Sequence, residues 1–203
     1  GVKKKMSNIK ILTYNIWGLD KGSADYKNKS FMAKRMNKIK DILISSDADI
    51  LCLQEMSKKS FDLLIAAHDD LRQKYPYMSE DNVMSNKDMK RNRNRTVGIF
   101  FMSKIKPNRV KIISTIGNLG YNNPIMIIEF KNFVVFNIYT QAGSKHSPGQ
   151  ELKWIHYARC RREGFQLLRE TMEHYKNIPI ILVGDFNCHL DGHYNDWPEL
   201  REI

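Results

Sequence analysis

The sequence predicts a layered α/β sandwich. Short apolar stretches rich in β-branched residues recur along the chain and are typical of buried strands. Amphipathic helical patterns separate several of these stretches, whereas the central strands follow one another directly and look antiparallel. This combination of alternating and consecutive elements is typical of helices packed on β-sheets.

Seven strands are expected, each short, apolar and followed by polar residues, at 9–14, 50–53, 97–102, 110–114, 125–130, 134–139 and 180–183. Helices are expected at 30–46, 60–74 and 151–175. In the first helix the apolar residues recur at the spacing of one helical face, with basic residues between them. These are Met32, Met36, Ile39 and Leu43.

The length and composition indicate one folded domain. The chain has 203 residues, of which 42% are hydrophobic and 10% aromatic, which is enough for a core and argues against disorder. No internal repeat or shift in composition marks a domain boundary. Residues 1–5 precede Met6, and we expect them to be a remnant outside the domain formed by residues 6–203.

The three cysteines, Cys52, Cys160 and Cys188, are few and widely spaced. They form neither a disulfide framework nor a CxxC zinc signature, and they suit a reducing compartment. No apolar run reaches the length of about 18 residues that a membrane span needs, and no signal peptide is recognisable. We therefore expect an intracellular protein, in the cytoplasm or nucleus.

The charge favours a polyanionic partner. With 33 basic and 22 acidic side chains the net charge is +11, which attracts nucleic acid or an acidic lipid surface. A solvated basic surface without such a partner is the alternative. The most polar stretch, 81–95, reads as a basic surface loop, with Lys87, Lys90, Arg91, Arg93 and Arg95.

Polar side chains follow four of the expected strands. They are Asn15, Glu55, Tyr139 and the pair Asp185 and Asn187. Strand ends are where α/β folds build sites, because a rigid strand holds the group still while the loop leaves room for a ligand. Carboxylates are the ligands that Mg²⁺ prefers, and it commonly uses one or two of them together with substrate phosphate oxygens.

Four motifs carry a resemblance to a known family. The segments LTYNIWGLD, ADILCLQE, VVFNIYTQAG and IILVGDFN occur in the order and positions typical of the endonuclease/exonuclease/phosphatase superfamily. The chain resembles this family over nearly its whole length. The resemblance implies two mixed β-sheets flanked by helices, as in pancreatic-type DNases, and phosphoester hydrolysis with Mg²⁺, or Mn²⁺ as an alternative cofactor.

The resemblance also implies roles for single residues. Glu55 matches the principal metal ligand, and Asn15 matches an asparagine beside the metal and phosphate, so both are candidate metal ligands. Asp185 matches the aspartate that positions or deprotonates the attacking water, and Asn187 matches an amide that steadies phosphate and nucleophile. Tyr139 stands where many relatives have histidine, and its phenol is a poor base at neutral pH because its unperturbed pKa is about 10.

The chain departs from the family at its end. Relatives carry a final Ser-Asp-His segment, and none follows Asn187 here, so we expect a catalytic domain that is incomplete at its C-terminus and close to inactive alone. The HxDxH run of His189, Asp191 and His193 reads as a solvent-facing turn rather than a metal site. Three aromatic residues near the motifs are expected to pack in the core or at its rim rather than on substrate. They are Tyr14, Trp17 and Phe186.

The substrate remains open between three classes. Nucleic acid is favoured by the charge, by Tyr139 and by the basic loop, where Arg91, Arg93 and Arg95 are candidate phosphate contacts. The segment NIWGLD looks like the tyrosyl-DNA phosphodiesterase branch, whereas YTQA is similar to sphingomyelinase-like members, which act on an anionic or choline lipid membrane. The polar stretches at 118–124 and 143–150 favour nucleic acid over lipid. A catalytically dead phosphate-binding module is the third reading, and no obligate protein partner is inferred.

Overall fold

The computed structural model describes residues 8–17, 28–79, 98–116, 122–141 and 151–188. It confirms the layered α/β class, because two four-stranded sheets pack face to face and helices cover their outer faces. In the described part of the chain, no helix is long and apolar enough to cross a membrane. The three cysteines are free thiols, in keeping with the absence of a disulfide framework.

The elements follow in the order β1 (Ile11–Asn15), α1 (Lys29–Ser46), β2 (Ile50–Met56), α2 (Lys58–Phe61), a π-helical turn (Asp62–Ala66), α3 (Asp69–Lys74), β3 (Tyr77–Met78), β4 (Gly98–Ser103), β5 (Arg109–Ile116), β6 (Asn122–Glu129), β7 (Val134–Tyr139), α4 (Glu151–Glu173) and β8 (Ile180–Asp185). All seven expected strands are present, with ends that shift by a few residues. The additional strand β3 has two residues, too few to show a sequence period.

Each sheet contains one parallel pair of strands. The first sheet has the order β1-β2-β4-β3 and the second the order β5-β6-β7-β8. Strands β1 and β2 run parallel, as do β7 and β8, and all other neighbours are antiparallel. In each sheet, therefore, the two strands of the parallel pair have their carboxyl ends side by side.

Three apolar layers hold the sandwich together. The four predicted core residues of α1 are all buried against the outer face of the first sheet, on Leu51, Leu53, Phe100 and Met102. The alternate side chains of the same strands face the second sheet, and they include Ile50, Cys52, Ile99 and Phe101. On the far side, α4 packs Phe165 and Leu168 against β6 and β7. This alternation follows from the two-residue period of a strand.

The expected helix at 60–74 is wrong as a single element. Ser57 begins a helix earlier through a capping box with Ser60. The helix then widens into the π-helical turn, and α3 starts afresh at Asp69, whose first turn carries two acidic residues that suit a helix N-terminus. Arg72 of α3 donates to the carbonyls of Ile65 and Ala66 at the end of the π-helical turn, and the Ile65 carbonyl also accepts from the backbone N–H of His68.

Asp47 ends α1 and connects it with two other elements. Its backbone is left-handed, with φ 48°, and its carboxylate pairs with Lys74 of α3 at 3.0 Å and with Lys104, just after β4, at 2.8 Å. Hydrogen bonds and charge from Lys104 and then Lys74 lower the pKa of Asp47 from 3.8 to about 2.

We expect Asp47→Asn to be less stable than the wild type at pH 7. A carboxyl group whose pKa falls on folding stabilises the folded state above its unfolded pKa, and this stability is lost as the pH falls through the folded pKa. The difference should therefore shrink between about pH 4 and pH 2. Asparagine also tolerates the left-handed backbone, so the helix end is preserved. Urea unfolding across this pH range is the measurement. Asp41→Asn is the control, because Asp41 is similarly exposed and its partner Lys40 is farther away, at 3.5 Å. Equal stability at pH 7 would contradict the prediction.

Candidate active site

The candidate site lies where the two parallel strand pairs end. Asn15 is the partner of Gln54 across β1 and β2, and Tyr139 is the partner of Asp185 across β7 and β8. Because parallel strands end at the same edge and the two sheets pack face to face, the polar ends of four strands converge. The structure thus brings together Asn15, Glu55, Tyr139, Asp185 and Asn187, all of which the sequence singled out.

Glu55 is a buried carboxylate whose two oxygens have different surroundings. Its side chain is only 8% exposed, so it is not an ordinary surface residue. Oε1 accepts hydrogen bonds from Asn15 Nδ2 at 3.1 Å and from the Tyr139 hydroxyl at 3.0 Å. Oε2 is buried and has no hydrogen-bond partner among the residues that the structure describes. A buried carboxylate oxygen without a partner is costly, and its position calls for a cation.

A bulge in β2 sets the direction of this side chain. The pairing of β2 with β4 shifts register between Leu53 and Met56, and Glu55 within the bulge has φ 62°. The next paired position opposite Met56 is Gly98, where an added Cβ would lie 2.0 Å from the Met56 carbonyl oxygen. Only glycine permits this approach. Bulges redirect side chains at functional sites, and a left-handed non-glycine residue costs about 1–3 kcal/mol.

Asn15 connects the two carboxylates. Its Nδ2 donates to Glu55 Oε1 and also to Asp185 Oδ2, at 2.8 Å. Its Oδ1 accepts from the backbone N–H of Trp17 at 2.8 Å, which fixes the orientation of the amide. The nitrogen of Asn15 therefore faces the carboxylates, whereas the metal-ligand role predicted for Asn15 would use the oxygen that Trp17 occupies.

Asp185 is held by hydrogen bonds on both oxygens. Oδ2 accepts from Asn15, and Oδ1 accepts from the backbone N–H of Asn187 at 2.9 Å. Asn187 has φ 48°, and its Nδ2 donates to the carbonyl of Thr140 at 2.7 Å. Gly184 has φ 140°, and a Cβ there would lie 2.1 Å from the Ile138 carbonyl oxygen. The close approach of β8 to β7 fixes the position of Asp185.

Tyr139 acts as a hydrogen-bond donor in this arrangement. Burial raises the pKa of its phenol well above the usual value, and the Glu55 carboxylate raises it further, while a hydrogen bond from Asn187 opposes the shift. The hydroxyl therefore stays protonated at neutral pH, in agreement with the expectation that this phenol is a poor base.

A buried polar network, which was not predicted from the sequence, supports the bulge. Gln54 Nε2 donates to Asn137 Oδ1 at 2.7 Å and to Thr13 Oγ1 at 3.1 Å. Asn137 Nδ2 donates to the carbonyls of Leu53 and Phe100, which flank the bulge. An asparagine within the apolar stretch VVFNIY was the signal for it, since a fully buried amide needs partners.

The other predicted residues divide into two groups. Tyr14 and Phe186 pack against core clusters as expected, and Trp17 lies at the surface with 57% exposure. Two segments fall outside the described residues. They hold the basic loop with Arg91, Arg93 and Arg95, and the HxDxH run of His189, Asp191 and His193.

The donor set at this site fits a hard divalent cation. Mg²⁺ keeps several waters and binds one or two carboxylates plus substrate phosphate, and Mn²⁺ accepts the same ligands. Glu55 Oε2 offers one such oxygen, with Asp185 nearby through Asn15. Within the ranges that the structure describes, no group of three or more His, Cys, Asp or Glu side chains could enclose a metal. The residues therefore fit an open carboxylate site for Mg²⁺ or Mn²⁺.

Comparison with known proteins agrees with this geometry. The sequence model of the endonuclease/exonuclease/phosphatase family matches residues 12–201. The chain belongs to this family. Members of the endonuclease/exonuclease/phosphatase family generally use divalent metal ions. A comparison with curated proteins gives no match.

Several solved structures share the fold. Sphingomyelinase C from Streptomyces griseocarneus is 18% identical, with a TM-score of 0.62 over 96% of this chain and 68% of that one. Truncated Caenorhabditis elegans TDP2 is 16% identical, with a TM-score of 0.62 over 92% of this chain and 65% of that one. D. rerio TDP2 complexed with single-strand DNA product is 14% identical, with a TM-score of 0.64 over 96% and 64%. The chain thus spans about two thirds of the length of these proteins, and the similarity establishes the fold.

Proposed function

We propose that this chain is the catalytic domain of a divalent-metal-dependent phosphodiesterase that acts on nucleic acid. The observation that carries the proposal is Oε2 of Glu55, which is buried and has no hydrogen-bond partner among the described residues, on a carboxylate that Asn15 links to Asp185. A structural carboxylate would be expected to have partners for both oxygens. A cation that also binds substrate phosphate accounts for the open position.

Each residue of the site has a task in water attack on a phosphoester. Glu55 would hold the metal, which when bound polarises a phosphoryl oxygen and stabilises the charge on the leaving oxygen. Asp185 orients the attacking water and accepts its proton. Asn15 is a positioning residue that keeps the two carboxylates together, and Tyr139 is another, because its hydroxyl restrains Glu55. Asn187 fixes Asp185 through its backbone N–H.

Charge supports nucleic acid as the substrate class, since the net charge is +11. One structural neighbour, D. rerio TDP2, is complexed with single-strand DNA product. A second candidate, a lipid phosphodiesterase, is supported by the likeness to sphingomyelinase C.

The deciding experiment is a side-by-side assay of the full-length protein with abasic duplex DNA, 5′-tyrosyl DNA, poly(A) and sphingomyelin vesicles. Each substrate is incubated with Mg²⁺, with Mn²⁺ and with EDTA. Cleavage of a nucleic acid that stops with EDTA supports the proposal. Cleavage of sphingomyelin alone would replace it with the lipid candidate, and binding of nucleic acid without cleavage of any substrate would favour a dead module.

The basic loop provides a prediction about binding. We expect simultaneous replacement of Lys90, Arg91, Arg93 and Arg95 by alanine to weaken binding to duplex DNA and to flatten its salt dependence. Each phosphate contact contributes a slope of about −0.9 in log K against log salt, so four lost contacts flatten it by up to about 3.6. Titrations at several salt concentrations measure the slope. An unchanged slope would indicate a loop that is merely solvated.

A further inference from the structure

We propose that Trp17, Phe31 and Arg35 form a binding surface for an unpaired nucleic-acid strand beside the candidate active site. Trp17 stacks on a base, and Arg35 contacts a neighbouring phosphate. We call these three residues the strand platform. The proposal rests on the proposed function, because it names the form of nucleic acid that the site would receive.

The conformation of Trp17 points to a ligand. Its side chain is 57% exposed, more than any other large hydrophobic side chain in the described residues. Its φ is 46°, in the left-handed region, which a bulky residue occupies only at a cost. Neither core packing nor backbone preference therefore accounts for an indole at this position, and strain of this kind is concentrated at ligand-binding sites.

Several contacts hold Trp17 in place relative to the site. Its backbone N–H donates to Asn15 Oδ1 at 2.8 Å, and Asn15 in turn donates to Glu55 and Asp185. Arg35 Nη1 donates to the Trp17 carbonyl at 3.3 Å, and the guanidinium lies 5.5 Å from the centre of the indole ring. Trp17 thus lies two residues along the chain from Asn15, the residue that bridges the two carboxylates, and Arg35 restrains its ring. Pre-positioning lowers the entropic cost of binding.

The adjacent surface of α1 has the chemistry of a single-strand site. Phe31 is 42% exposed and precedes Arg35 by four residues, so the two lie on one face of the helix. Within Lys29–Ser46 there are five basic residues and one acidic residue. Aromatic rings among basic side chains bind unpaired strands, because every exposed base offers a face for stacking and every phosphate a negative charge. A duplex hides those faces in its own stack, so an unpaired segment is the ligand that this surface fits.

Equilibrium binding in EDTA tests the platform separately from catalysis. The probes are a fluorescein-labelled single-stranded oligothymidine and an abasic oligonucleotide of the same length, which keeps the phosphates and lacks the bases. We expect Trp17→Gly to weaken binding of the oligothymidine about fivefold or more and to leave the abasic strand within about twofold. Trp17→Phe, which keeps a ring, should retain most of the affinity.

Glycine suits the left-handed backbone at position 17, so Trp17→Gly should fold with an unchanged or higher melting temperature. Ile155→Ala is the matched control, because Ile155 of α4 is 56% exposed and lies outside the platform. It should bind both probes like the wild type. Arg35→Gln should flatten the salt dependence of oligothymidine binding by about 0.7, the contribution of one phosphate on a single strand.

If Trp17→Gly lowered the affinity for both probes equally, or for neither, the stacking role would be overturned. Loss of binding to phosphatidylcholine–sphingomyelin vesicles, with unchanged oligothymidine binding, would overturn it in favour of a membrane contact. Hydrolysis of bis(4-nitrophenyl) phosphate by the full-length wild type with Mg²⁺ tests the proposed function by itself. If that hydrolysis is absent while Trp17→Gly still loses affinity for the oligothymidine alone, the strand platform is supported and the proposed chemistry is wrong.

Discussion

In the full-length protein, Glu55→Gln is expected to lose metal-dependent phosphodiester hydrolysis while the protein still folds. The exchange is nearly isosteric, and the amide oxygen of glutamine can still accept from Asn15 and Tyr139. It removes the negative charge at a buried position where Oε2 has no partner in the described part of the chain. Metal stabilisation of the transition state is worth several kcal/mol, so kcat should fall at least about a hundredfold. Turnover of bis(4-nitrophenyl) phosphate at low millimolar Mg²⁺ measures it.

A second readout separates metal binding from chemistry. A ligand that binds the folded state raises the melting temperature, so Mg²⁺ should stabilise the wild type and have little effect on Glu55→Gln. Glu129→Gln is the matched control. Glu129 also accepts a hydrogen bond from a tyrosine, Tyr175 at 2.6 Å, but it lies at the opposite end of the second sheet. Wild-type turnover in Glu55→Gln, or an unchanged response of its melting temperature to Mg²⁺, would show that Glu55 is not the ligand.

Asp185→Asn is expected to lower kcat by about 10²- to 10⁴-fold, the usual contribution of a group that accepts a proton in the transition state. The variant cannot accept both hydrogen bonds that Asp185 receives, from Asn15 Nδ2 and from the Asn187 N–H, because one atom of its amide is itself a donor. A loss of about 1–3 kcal/mol in unfolding free energy should accompany the change.

The response to Mg²⁺ distinguishes the two site variants. Asp185→Asn should retain most of the rise in melting temperature that Mg²⁺ causes, since Glu55 is intact, whereas Glu55→Gln should not. Asp49→Asn serves as control, because Asp49 accepts a hydrogen bond from the Lys10 N–H at 2.9 Å at the other end of the strands. Near-normal kcat for Asp185→Asn would remove Asp185 from the role of proton acceptor.

The sequence was sufficient to predict which strand ends meet at the candidate site but not the contacts between their side chains. The apolar strands that precede Asn15, Glu55 and Asp185 were recognisable in the sequence. Their polar residues were expected to lie close together, because neighbouring parallel strands end side by side. The orientation of the Asn15 amide was not, since it depends on the N–H of Trp17 turning back through a left-handed residue. The position of Glu55 Oε2 likewise depends on the bulge in β2. The register of that bulge is set by pairing with β4, a strand more than forty residues away.

Helix boundaries show the same limit. Helix α1 was predicted closely because one apolar face runs along its whole length. The stretch 60–74 was read as one helix, although the chain divides there, because the period of its apolar residues continues through the π-helical turn. The interruption depends on acidic residues at a new helix start and on Arg72, which caps carbonyls of the preceding turn. Such contacts have no periodic signature.

The hydrogen bond between Asn15 and Asp185 joins residues 170 positions apart. Contacts so distant in the chain require the closure of a long loop, and folds dominated by them form slowly. Neither sheet carries the complete set of polar groups, so a folding intermediate with only one sheet would have no competent site. The two carboxylates therefore come together only when the two sheets pack against each other. During refolding, recovery of Mg²⁺ binding should lag behind the recovery of helical and strand content and coincide with the burial of Cys52 between the sheets.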